Sequence, residues 1–339
     1  MKVVLHGTAS PLGWPAPGCG CASCGRMPAG RRRPLRATVD GVVRLPLAGA
    51  PPAPYRAART PHGLELTGPD GCRLLLADPA QAGDAPVSGP CDILLIDVLA
   101  APHRLGALRA AGTVTDATRM VAVGVDHRVS SEAELARRLS WWGVLDVADG
   151  GVVDTADPAP PPPPAPRRTL ILGGSRSGKS AEAELRLAAE PRVVYVATGP
   201  SGGDDPEWRA RVRAHRERRP AHWSTVESTD LEGLLGRSRD PLLVDGVGTW
   251  LAAVFDECGA WEGGDRGGVE ERCARLVAAW RDTRTRVVAV SDEVGLGVVP
   301  VTAAGRAFRD ALGRLNQRLA EESEQAVLVV AGRSLPLPL

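Results

Sequence analysis

The length, charge and cysteine content of the chain exclude several classes of protein. Its 339 residues exceed what one compact domain usually holds, so we expect about two domains. The formal net charge is +1, from 41 basic and 40 acidic side chains, which argues against nucleic acid or an anionic membrane as partner. The longest apolar runs fall far short of the roughly 18 residues that a membrane span needs. Without a signal-peptide core, and with seven cysteines in an odd, sparse set, the chain is predicted to be cytoplasmic.

The first part of the chain, residues 1–153, is predicted to be a β-rich mixed α/β domain. Short apolar runs alternate there with Gly and Pro turns, and the pattern indicates two helices, near 103–111 and 131–140. The strand-like runs are MKVVLH, GLELTG, CRLLLAD, DILLID and MVAVGV. Cys19, Cys21 and Cys24 have the spacing C-x-C-x₂-C, which binds zinc if a fourth ligand exists; unligated thiols are the ordinary alternative.

A proline-rich segment, DTADPAPPPPPAPRR, covers residues 154–168. Proline fixes φ and removes a backbone donor, so the segment favours an extended polyproline II spacer. A ligand for a proline-recognition domain is the alternative. We predict an interdomain linker, followed by a second domain over residues 169–339.

The second domain is predicted to be α/β, with helices on both sides of a mostly parallel sheet. Its apolar runs are continuous and separated by helical patterns, which is typical of parallel strands buried on both faces. The runs are TLILGG (169–174), RVVYVAT (192–198), DPLLVDG (240–246), TRVVAVS (285–291) and AVLVVAG (326–332). Helices are predicted over 207–219 and over 305–322, the latter with Phe308, Leu312, Leu315 and Leu319 on one side.

A phosphate-binding loop follows the first of these runs, because GGSRSGKS matches G-x-x-x-x-G-K-[ST] between a strand and a helix. Its glycines allow backbone N–H groups to surround an anion, Lys179 can reach the β and γ phosphates, and the Ser180 hydroxyl can ligate Mg²⁺. Asp245, at the end of a neighbouring strand, is the predicted acidic partner of that Mg²⁺; an ordinary turn aspartate is the alternative. The residues predicted to hold triphosphate are Gly173, Gly174, Ser175, Arg176, Ser177, Gly178, Lys179 and Ser180.

His215 lies in an arginine-rich stretch, RARVRAHRERRP (209–220). A solvated helix face is the ordinary explanation of such a run. Guanidinium groups also bind phosphate oxygens through forked hydrogen bonds, and a neutral imidazole is a competent nucleophile toward phosphorus. His215 is therefore a candidate for forming a phosphohistidine-type bond.

Five segments, in the same order, resemble the bifunctional adenosylcobinamide kinase / adenosylcobinamide-phosphate guanylyltransferase family of cobalamin biosynthesis. They extend from about residue 169 to the end of the chain and read GGSRSGKS, VYVATG, RVRAHRERRPAHWSTVE, LLVDGVGTWL and VSDEVGLGVVPVTAAGRAFRDALGRLNQRLA. The chain departs from the family at Gly246 and Gly248, usually Cys and Leu, and at Asp292, commonly Asn. Because of the two glycines, we expect looser packing after Asp245.

The resemblance implies a P-loop NTPase-like domain that catalyses two transfer reactions. ATP or GTP would phosphorylate the aminopropanol hydroxyl of adenosylcobinamide, with Lys179 as a catalytic residue and Mg²⁺ as the metal. GTP would then guanylylate His215, and adenosylcobinamide phosphate would take the GMP to give adenosylcobinamide-GDP.

The resemblance also implies further residues at the nucleotide site, with Glu227 accepting hydrogen bonds from guanine. They are Ala197, Thr198, Gly199, Arg216, Glu217, Arg218, Arg219, Glu227 and Asp245. Arg306, Arg309 and Asp310 are candidates for subunit or substrate contacts in an expected homo-oligomer. Two other functions stay open: a P-loop kinase of another small molecule, in which His215 only packs, and a nucleotide-gated binding module.

The N-terminal half resembles metallo-β-lactamase-like proteins, especially a phosphodiesterase-like branch. The resemblance lies in HGTASPLGWPAPGCGCASC, RRRPLRAT, DILLID and the segment from Pro102 to Gly143. The metal-binding pattern H-x-H-x-D-H of that fold is absent, because the histidines of this half do not have its spacing. These histidines are His6, His62, His103 and His127. We therefore predict a degenerate domain without catalytic activity.

Overall fold

The computed structural model describes residues 1–159, 161, 165–199, 213, 219–262 and 266–338. The chain divides into two compact units. The N-terminal unit comprises Met1–Ala165 with Ala188–Pro191, and the C-terminal unit comprises Pro166–Leu187 with Arg192–Leu339. In the part of the chain described, no helix is both long and apolar enough to cross a bilayer. Of the helix predicted over 207–219, only Arg213 and Arg219 are among the described residues.

The N-terminal unit is built mainly of short strands. They are β1 (Lys2–Gly7), β2 (Arg36–Val39), β3 (Val43–Leu45), β4 (Arg56–Thr60), β5 (Gly63–Thr67), β6 (Arg73–Ala77), β7 (Ile93–Ile96), β8 (Arg119–Ala122) and β9 (Val152–Asp154). The helices are α1 (Ala22–Gly25), α2 (His103–Ala110) and α3 (Glu132–Trp142), with a 3₁₀ turn at Pro79–Gln81. Ser131 caps the start of α3 by accepting a hydrogen bond from Glu134 N, and Gly143 ends it in the left-handed region.

These strands form two sheets that share one core. The four-stranded sheet has the order β3-β2-β1-β9 and is antiparallel throughout. The five-stranded sheet has the order β4-β5-β6-β7-β8, antiparallel as far as β6 and parallel from β6 to β8. Residues from both sheets, including Val3, Leu5, Leu66 and Leu95, are fully buried in one cluster. The prediction of a mixed, β-rich α/β class is confirmed for this unit.

The C-terminal unit contains one large sheet and its covering helices. The strands are β10 (Arg168–Gly173), β11 (Val194–Ala197), β12 (Ser224–Glu227), β13 (Leu242–Asp245), β14 (Val287–Asp292), β15 (Gln325–Val330) and β16 (Arg333–Leu337). The helices are α4 (Lys179–Leu187), α5 (Leu231–Arg237), α6 (Val247–Glu257), α7 (Arg266–Asp282) and α8 (Ala303–Glu321), with a 3₁₀ turn at Ala260–Glu262.

The strand order of this sheet is β12-β11-β13-β14-β10-β15-β16. All neighbouring pairs are parallel except β15 and β16, which form an antiparallel hairpin at one edge. Alternate side chains of β10 enter different clusters: Leu170 and Leu172 pack with residues of α6, α7 and α8, whereas Ile171 packs with residues of α4. This pattern confirms a mostly parallel sheet with helices on both sides, and it explains the continuous apolar runs.

Helix α8 also confirms its predicted apolar face. Leu312, Leu315 and Leu319 are buried, and Phe308 packs against the same cluster at its margin. Thr302 begins the helix by accepting a hydrogen bond from Gly305 N. Packing against the core cluster therefore holds the helix in place, and this packing accounts for its apolar residues.

Candidate functional site

Those predicted site residues of the C-terminal unit that the structure describes at strand ends meet at one end of the sheet. The parallel registers pair Ala197 with both Glu227 and Asp245, and Gly173 with Asp292. These residues end their strands, so the carboxyl ends of β10, β11, β12, β13 and β14 all lie on the same side. Ligands of open α/β sheets bind outside the carboxyl ends of the strands.

The loop between β10 and α4 requires its glycines. A Cβ at Gly173 would lie 2.5 Å from Ser177 Oγ and 2.7 Å from Val329 O, and Gly178 has a φ of +98°. Ser177 is nearly buried, whereas Gly174, Ser175 and Arg176 are exposed at the tip. The loop is thus fixed at both ends and open in the middle, as phosphate binding by backbone N–H groups requires.

Lys179 is largely buried and its ammonium group is held by two oxygens. Its Nζ donates to Gly174 O at 3.1 Å and lies 2.8 Å from Asp292 Oδ1. Only 10% of the lysine side chain is exposed, against 43% of the Asp292 side chain. The Asp292 carboxylate therefore competes for the lysine that would bind phosphate.

Ser180 and Asp245 are in direct contact, as a shared magnesium site requires. Ser180 Oγ donates to Asp245 Oδ1 at 3.0 Å. The other carboxylate oxygen accepts a hydrogen bond from the hydroxyl of Tyr195, a fully buried side chain. Burial, and next the negative charge of Asp245, raise the pKa of Tyr195, so the phenol stays protonated as a donor. A hydroxyl beside a carboxylate is a suitable oxygen ligand pair for Mg²⁺.

Arg219 covers the outer side of this group. Its guanidinium lies 3.3 Å from the centre of the Tyr195 ring, and its Nη1 donates to Thr225 Oγ1 at 3.1 Å. The structure thus brings Arg219 to Tyr195, the residue that bonds Asp245. The other members of the predicted cluster, His215, Arg216, Glu217 and Arg218, lie outside the described residues.

The predicted loose packing after Asp245 is wrong. Gly246 has a φ of +118°, and a Cβ there would lie 2.2 Å from Thr249 Oγ1. A Cβ at Gly248 would lie 2.9 Å from Asp292 Oδ2. Both glycines therefore sit in close packing, and at Gly246 it includes Thr198, whose Oγ1 bonds both Gly246 O and Thr249 Oγ1 at 2.6 Å. This bond links the predicted Ala197–Gly199 segment to the start of α6.

Glu227, Gly199 and the candidate contact residues of α8 lie in more exposed positions than Lys179 or Tyr195. Glu227 is exposed at the end of β12, the edge strand of the sheet, and Gly199 is half-buried just beyond β11. Arg306 Nη1 donates to Pro300 O and Val301 O, and Arg309 lies 3.5 Å from Asp310. These contacts are local, within α8 and the loop before it.

Sequence reasoning missed three residues that contact the site. Tyr195 lies inside an apolar run that predicts only a strand, Asp292 differs from the residue that the family resemblance implies, and Thr249 follows a glycine-rich turn. The alternation of β11 would have pointed Tyr195 to the same side as Ala197. The contact of Tyr195 with Asp245 depends on the register between β11 and β13, and the sequence does not show this register.

A second group of potential ligands lies in the N-terminal unit. The ligand atoms of Cys19, Cys21, Cys24 and His127 are all within 4.8 Å of one another. His127 Nδ1 lies 3.8 Å from Cys19 Sγ and 3.6 Å from Cys24 Sγ. In a tetrahedral zinc site, bond lengths of about 2.3 Å to sulfur and 2.0 Å to nitrogen place these atoms about 3.5 Å apart. The observed spacing fits zinc.

Backbone donors and packing hold this cysteine cluster in place. Ala16 N donates to Cys24 Sγ and Cys24 N donates to Cys21 Sγ, both at 3.4 Å. The Ser23 hydroxyl joins the two segments of the cluster, because it accepts from Trp14 Nε1 and donates to Val129 O. Donors to the ligand sulfurs are the usual surroundings of a bound metal.

The loop between β14 and α8 exposes an unusual number of apolar side chains. Leu296 is 80% exposed, Val298 95% and Val301 94%, and Val299 is more than half exposed. The loop begins directly after Asp292, at the edge of the sheet that carries the site. Exposed apolar patches are typical of surfaces that contact another protein or a ligand.

The family model and the curated relatives match the C-terminal unit. The family model described as cobinamide kinase / cobinamide phosphate guanyltransferase matches residues 169–337. The bifunctional adenosylcobalamin biosynthesis protein CobP of Pseudomonas aeruginosa is 42% identical over 180 residues, which cover 51% of this chain and 96% of that protein. The CobU proteins of Salmonella typhimurium and Escherichia coli are each 36% identical over 174 residues, covering 48% of this chain and 95% of theirs.

Proposed function

Because residues 169–337 belong to the cobinamide kinase / cobinamide phosphate guanyltransferase family, we propose that this chain phosphorylates adenosylcobinamide and then converts the product to adenosylcobinamide-GDP. The contact of Ser180 with Asp245, beside Lys179 and the glycine-rich loop, is the observation that supports this function best. A hydroxyl, a carboxylate and an ammonium that lie next to this loop support the binding of one nucleoside triphosphate by all three.

In the kinase reaction the chain orients the triphosphate of ATP or GTP for in-line transfer. The loop N–H groups hold the phosphates, and Lys179 would neutralise charge that develops as the γ-phosphate leaves. The substrate hydroxyl oxygen forms the new P–O bond while the bond to the β-phosphate oxygen breaks, and the hydroxyl proton is released. Ser180 and Asp245 would hold Mg²⁺, which draws charge from the phosphate oxygens.

In the guanylyl reaction His215 is the proposed nucleophile. A nitrogen of its ring would attack the α-phosphorus of GTP, forming a P–N bond as pyrophosphate leaves. A phosphate oxygen of adenosylcobinamide phosphate then displaces the histidine, which breaks the P–N bond and restores the free imidazole. Arg216, Arg218 and Arg219 would stabilise the transferred phosphate, and Glu227 would accept from guanine N–H groups and so select GTP.

Incubation with GTP labelled at the α-phosphate tests the covalent step. We expect acid-labile, base-stable label on the wild-type chain and none on His215→Asn, with His222→Asn as the matched control that keeps the label. Label that persists in His215→Asn would refute the assignment. Robust transfer of the γ-phosphate without any covalent GMP would favour a kinase of another small molecule, and nucleotide binding without turnover would favour a binding module.

For the N-terminal unit we propose a degenerate metallo-β-lactamase-like domain that retains one structural zinc site. Two sheets around a shared core support the fold, and the missing H-x-H-x-D-H pattern argues against hydrolysis. Cys19, Cys21, Cys24 and His127 would hold the zinc and cross-link the segment around α1 to the loop after β8. Four protein ligands leave no open position, which is the pattern of structural zinc.

Metal analysis of the full chain tests this zinc site. We expect about one zinc per chain after purification without added chelator, and a strong loss in Cys21→Ser. Cys72→Ser, a thiol outside the cluster, is the matched control and should keep its zinc. Purified chain with much less than one zinc, whose cluster thiols all react rapidly with an alkylating agent, would refute the proposal.

We also propose that the exposed loop Leu296–Val301 is a contact surface of a homo-oligomer. Val298 and Val301 are almost completely exposed in the single chain, which costs free energy unless a partner covers them. Light scattering should show an assembly for the wild type and a smaller species for Val298→Asp. Val42→Asp, at an exposed valine of the N-terminal unit, is the control. An unchanged mass for Val298→Asp would contradict the proposal.

A further inference from the structure

The outer face of the small N-terminal sheet carries a cavity of about 680 Å³ that neither reaction uses. It lies over β1, β2 and β3, and its polar and charged lining residues are His6, Arg33, Arg36, Thr38 and Arg44. No carboxylate is among these lining residues. Ligand-binding cavities of proteins have volumes of roughly 300–1,000 Å³, so this one is large enough for a molecule of nucleotide size.

The strand registers explain why the basic groups converge. Thr38 of β2 pairs with Val4 on one side and with Arg44 on the other, and Arg36 pairs with Gly7 next to His6. Side chains alternate between the faces of a strand, and Arg36 and Arg44 are exposed where Ala37 and Leu45 are buried. The three strands therefore present guanidinium, hydroxyl and imidazole groups on one face.

The arginines of this cavity differ in how far their charge is balanced. Arg33 is compensated in part, because Asp149 Oδ2 lies 3.4 Å from its Nε. Neither Arg36 nor Arg44 forms an ion pair with any carboxylate in the described parts of the chain. Two unbalanced guanidinium groups that face the same cavity create a positive potential there.

We infer that this cavity binds a phosphorylated small molecule. Guanidinium groups bind phosphate oxygens through paired hydrogen bonds, and phosphate offers several oxygens where a carboxylate offers two. The Thr38 hydroxyl is held 2.7 Å from His6 Nε2, which adds two further polar groups on the same face. Pro34 and Pro46 supply apolar surface for the organic part of the ligand.

Two sources of such a ligand share this chemistry. One is pyrophosphate or phosphate, and the other is a nucleotide. Calorimetric titrations with inorganic phosphate, pyrophosphate and GMP separate these sources, because only the nucleotide also uses the apolar walls. The full chain carries Lys179→Ala in every titration to weaken binding at the loop before α4, and any binding that Arg36→Gln and Arg44→Gln leave unchanged is assigned to that loop. A failure of this proposal is thereby kept apart from a failure of the proposed enzyme activity.

We expect at least one of these probes to bind with a dissociation constant in the micromolar range. Arg36→Gln and Arg44→Gln should each weaken that binding about tenfold, since each removes one charge-assisted contact. Arg56→Gln is the matched control, because Arg56 is exposed on β4 and outside the cavity, and it should leave the affinity unchanged. Melting temperatures of the variants, which should not change, exclude a folding defect.

Three results would overturn the inference. The first is no heat of binding for any probe up to millimolar concentration. The second is an equal affinity in the Arg36→Gln, Arg44→Gln and Arg56→Gln chains. The third is tight binding of a single-stranded oligonucleotide with none of the small probes, which would make the face a nucleic-acid surface instead.

Discussion

Replacing Asp292 by asparagine should tighten GTP binding, because its ion pair holds Lys179, the lysine proposed to bind the phosphates. The Lys179 ammonium lies 2.8 Å from Asp292 Oδ1, and in the proposed function GTP would replace this contact. Asparagine keeps the size of the side chain and removes its charge. The change therefore isolates the electrostatic competition from the close packing of this side chain against Gly248.

The expected size of the effect follows from the exposure of the pair. Asp292 is 43% exposed, so solvent screens the ion pair, and pairs of this kind contribute at most about 1 kcal/mol. Releasing that contribution would lower the dissociation constant for GTP about fivefold. A larger gain would mean that the carboxylate also repels the bound phosphates directly.

Calorimetric titration with GTP in the presence of Mg²⁺, at fixed ionic strength, measures this change. Glu293→Gln is the matched control, because it removes the neighbouring negative charge and leaves the ion pair of Lys179 intact. The Glu293 carboxylate accepts a hydrogen bond from Gly295 N through Oε1. The reasoning would be refuted if Asp292→Asn weakened GTP binding, which would make the carboxylate a metal ligand. An equal gain in GTP affinity in both variants would show that the loss of one negative charge near the site causes it, and not the loss of the ion pair.

Three further predictions concern Asp245, Gly246 and Glu134. Tyr195→Phe removes the donor to Asp245 and should lower kcat/KM of the kinase reaction about tenfold, whereas Tyr55→Phe, which removes a similar bond to Asp40, should not. Gly246→Ala should destabilise the C-terminal unit by about 1–3 kcal/mol in urea unfolding, while Gly236→Ala, with no atom near its Cβ, should stabilise it slightly. Burial raises the pKa of Glu134, but hydrogen bonds from Arg137 and Arg138 outweigh it and lower the pKa below 4.5. Because its pKa is lowered, the Glu134 carboxylate stabilises the folded state above about pH 4.5, and this contribution is lost as the pH falls further. Glu134→Gln should therefore reduce the loss of unfolding free energy in acid by less than about 1 kcal/mol, measured by urea unfolding.

Much of the C-terminal unit was predictable because its signals are local. A strand buried on both faces must be apolar throughout, so β10, β13, β14 and β15 were each found within a few residues of their observed bounds. The phosphate-binding loop was predictable for a similar reason, since the local backbone conformation of such a loop requires glycine at fixed positions. Short edge strands such as β12 and β16 were missed, because they are mostly exposed and lack an apolar run.

Contacts between distant residues were not predictable. Cys19, Cys21 and Cys24 were recognisable as three ligands, but His127 joins them only because the loop after β8 is brought beside α1. The same holds for the bonds of Asp245 with Ser180 and Tyr195, which join residues 65 and 50 positions apart.

The sequence by itself determined the α/β class, the parallel strands, the phosphate-binding loop and the family of the C-terminal unit, because each depends on residue types at short spacing. Tertiary structure alone decided that Lys179 pairs with Asp292, that Tyr195 donates to Asp245, and that Arg36 and Arg44 share one cavity. These contacts depend on which strands are neighbours and in what register. The free energy that selects the strand order comes from burial of the whole core, and no short segment encodes it.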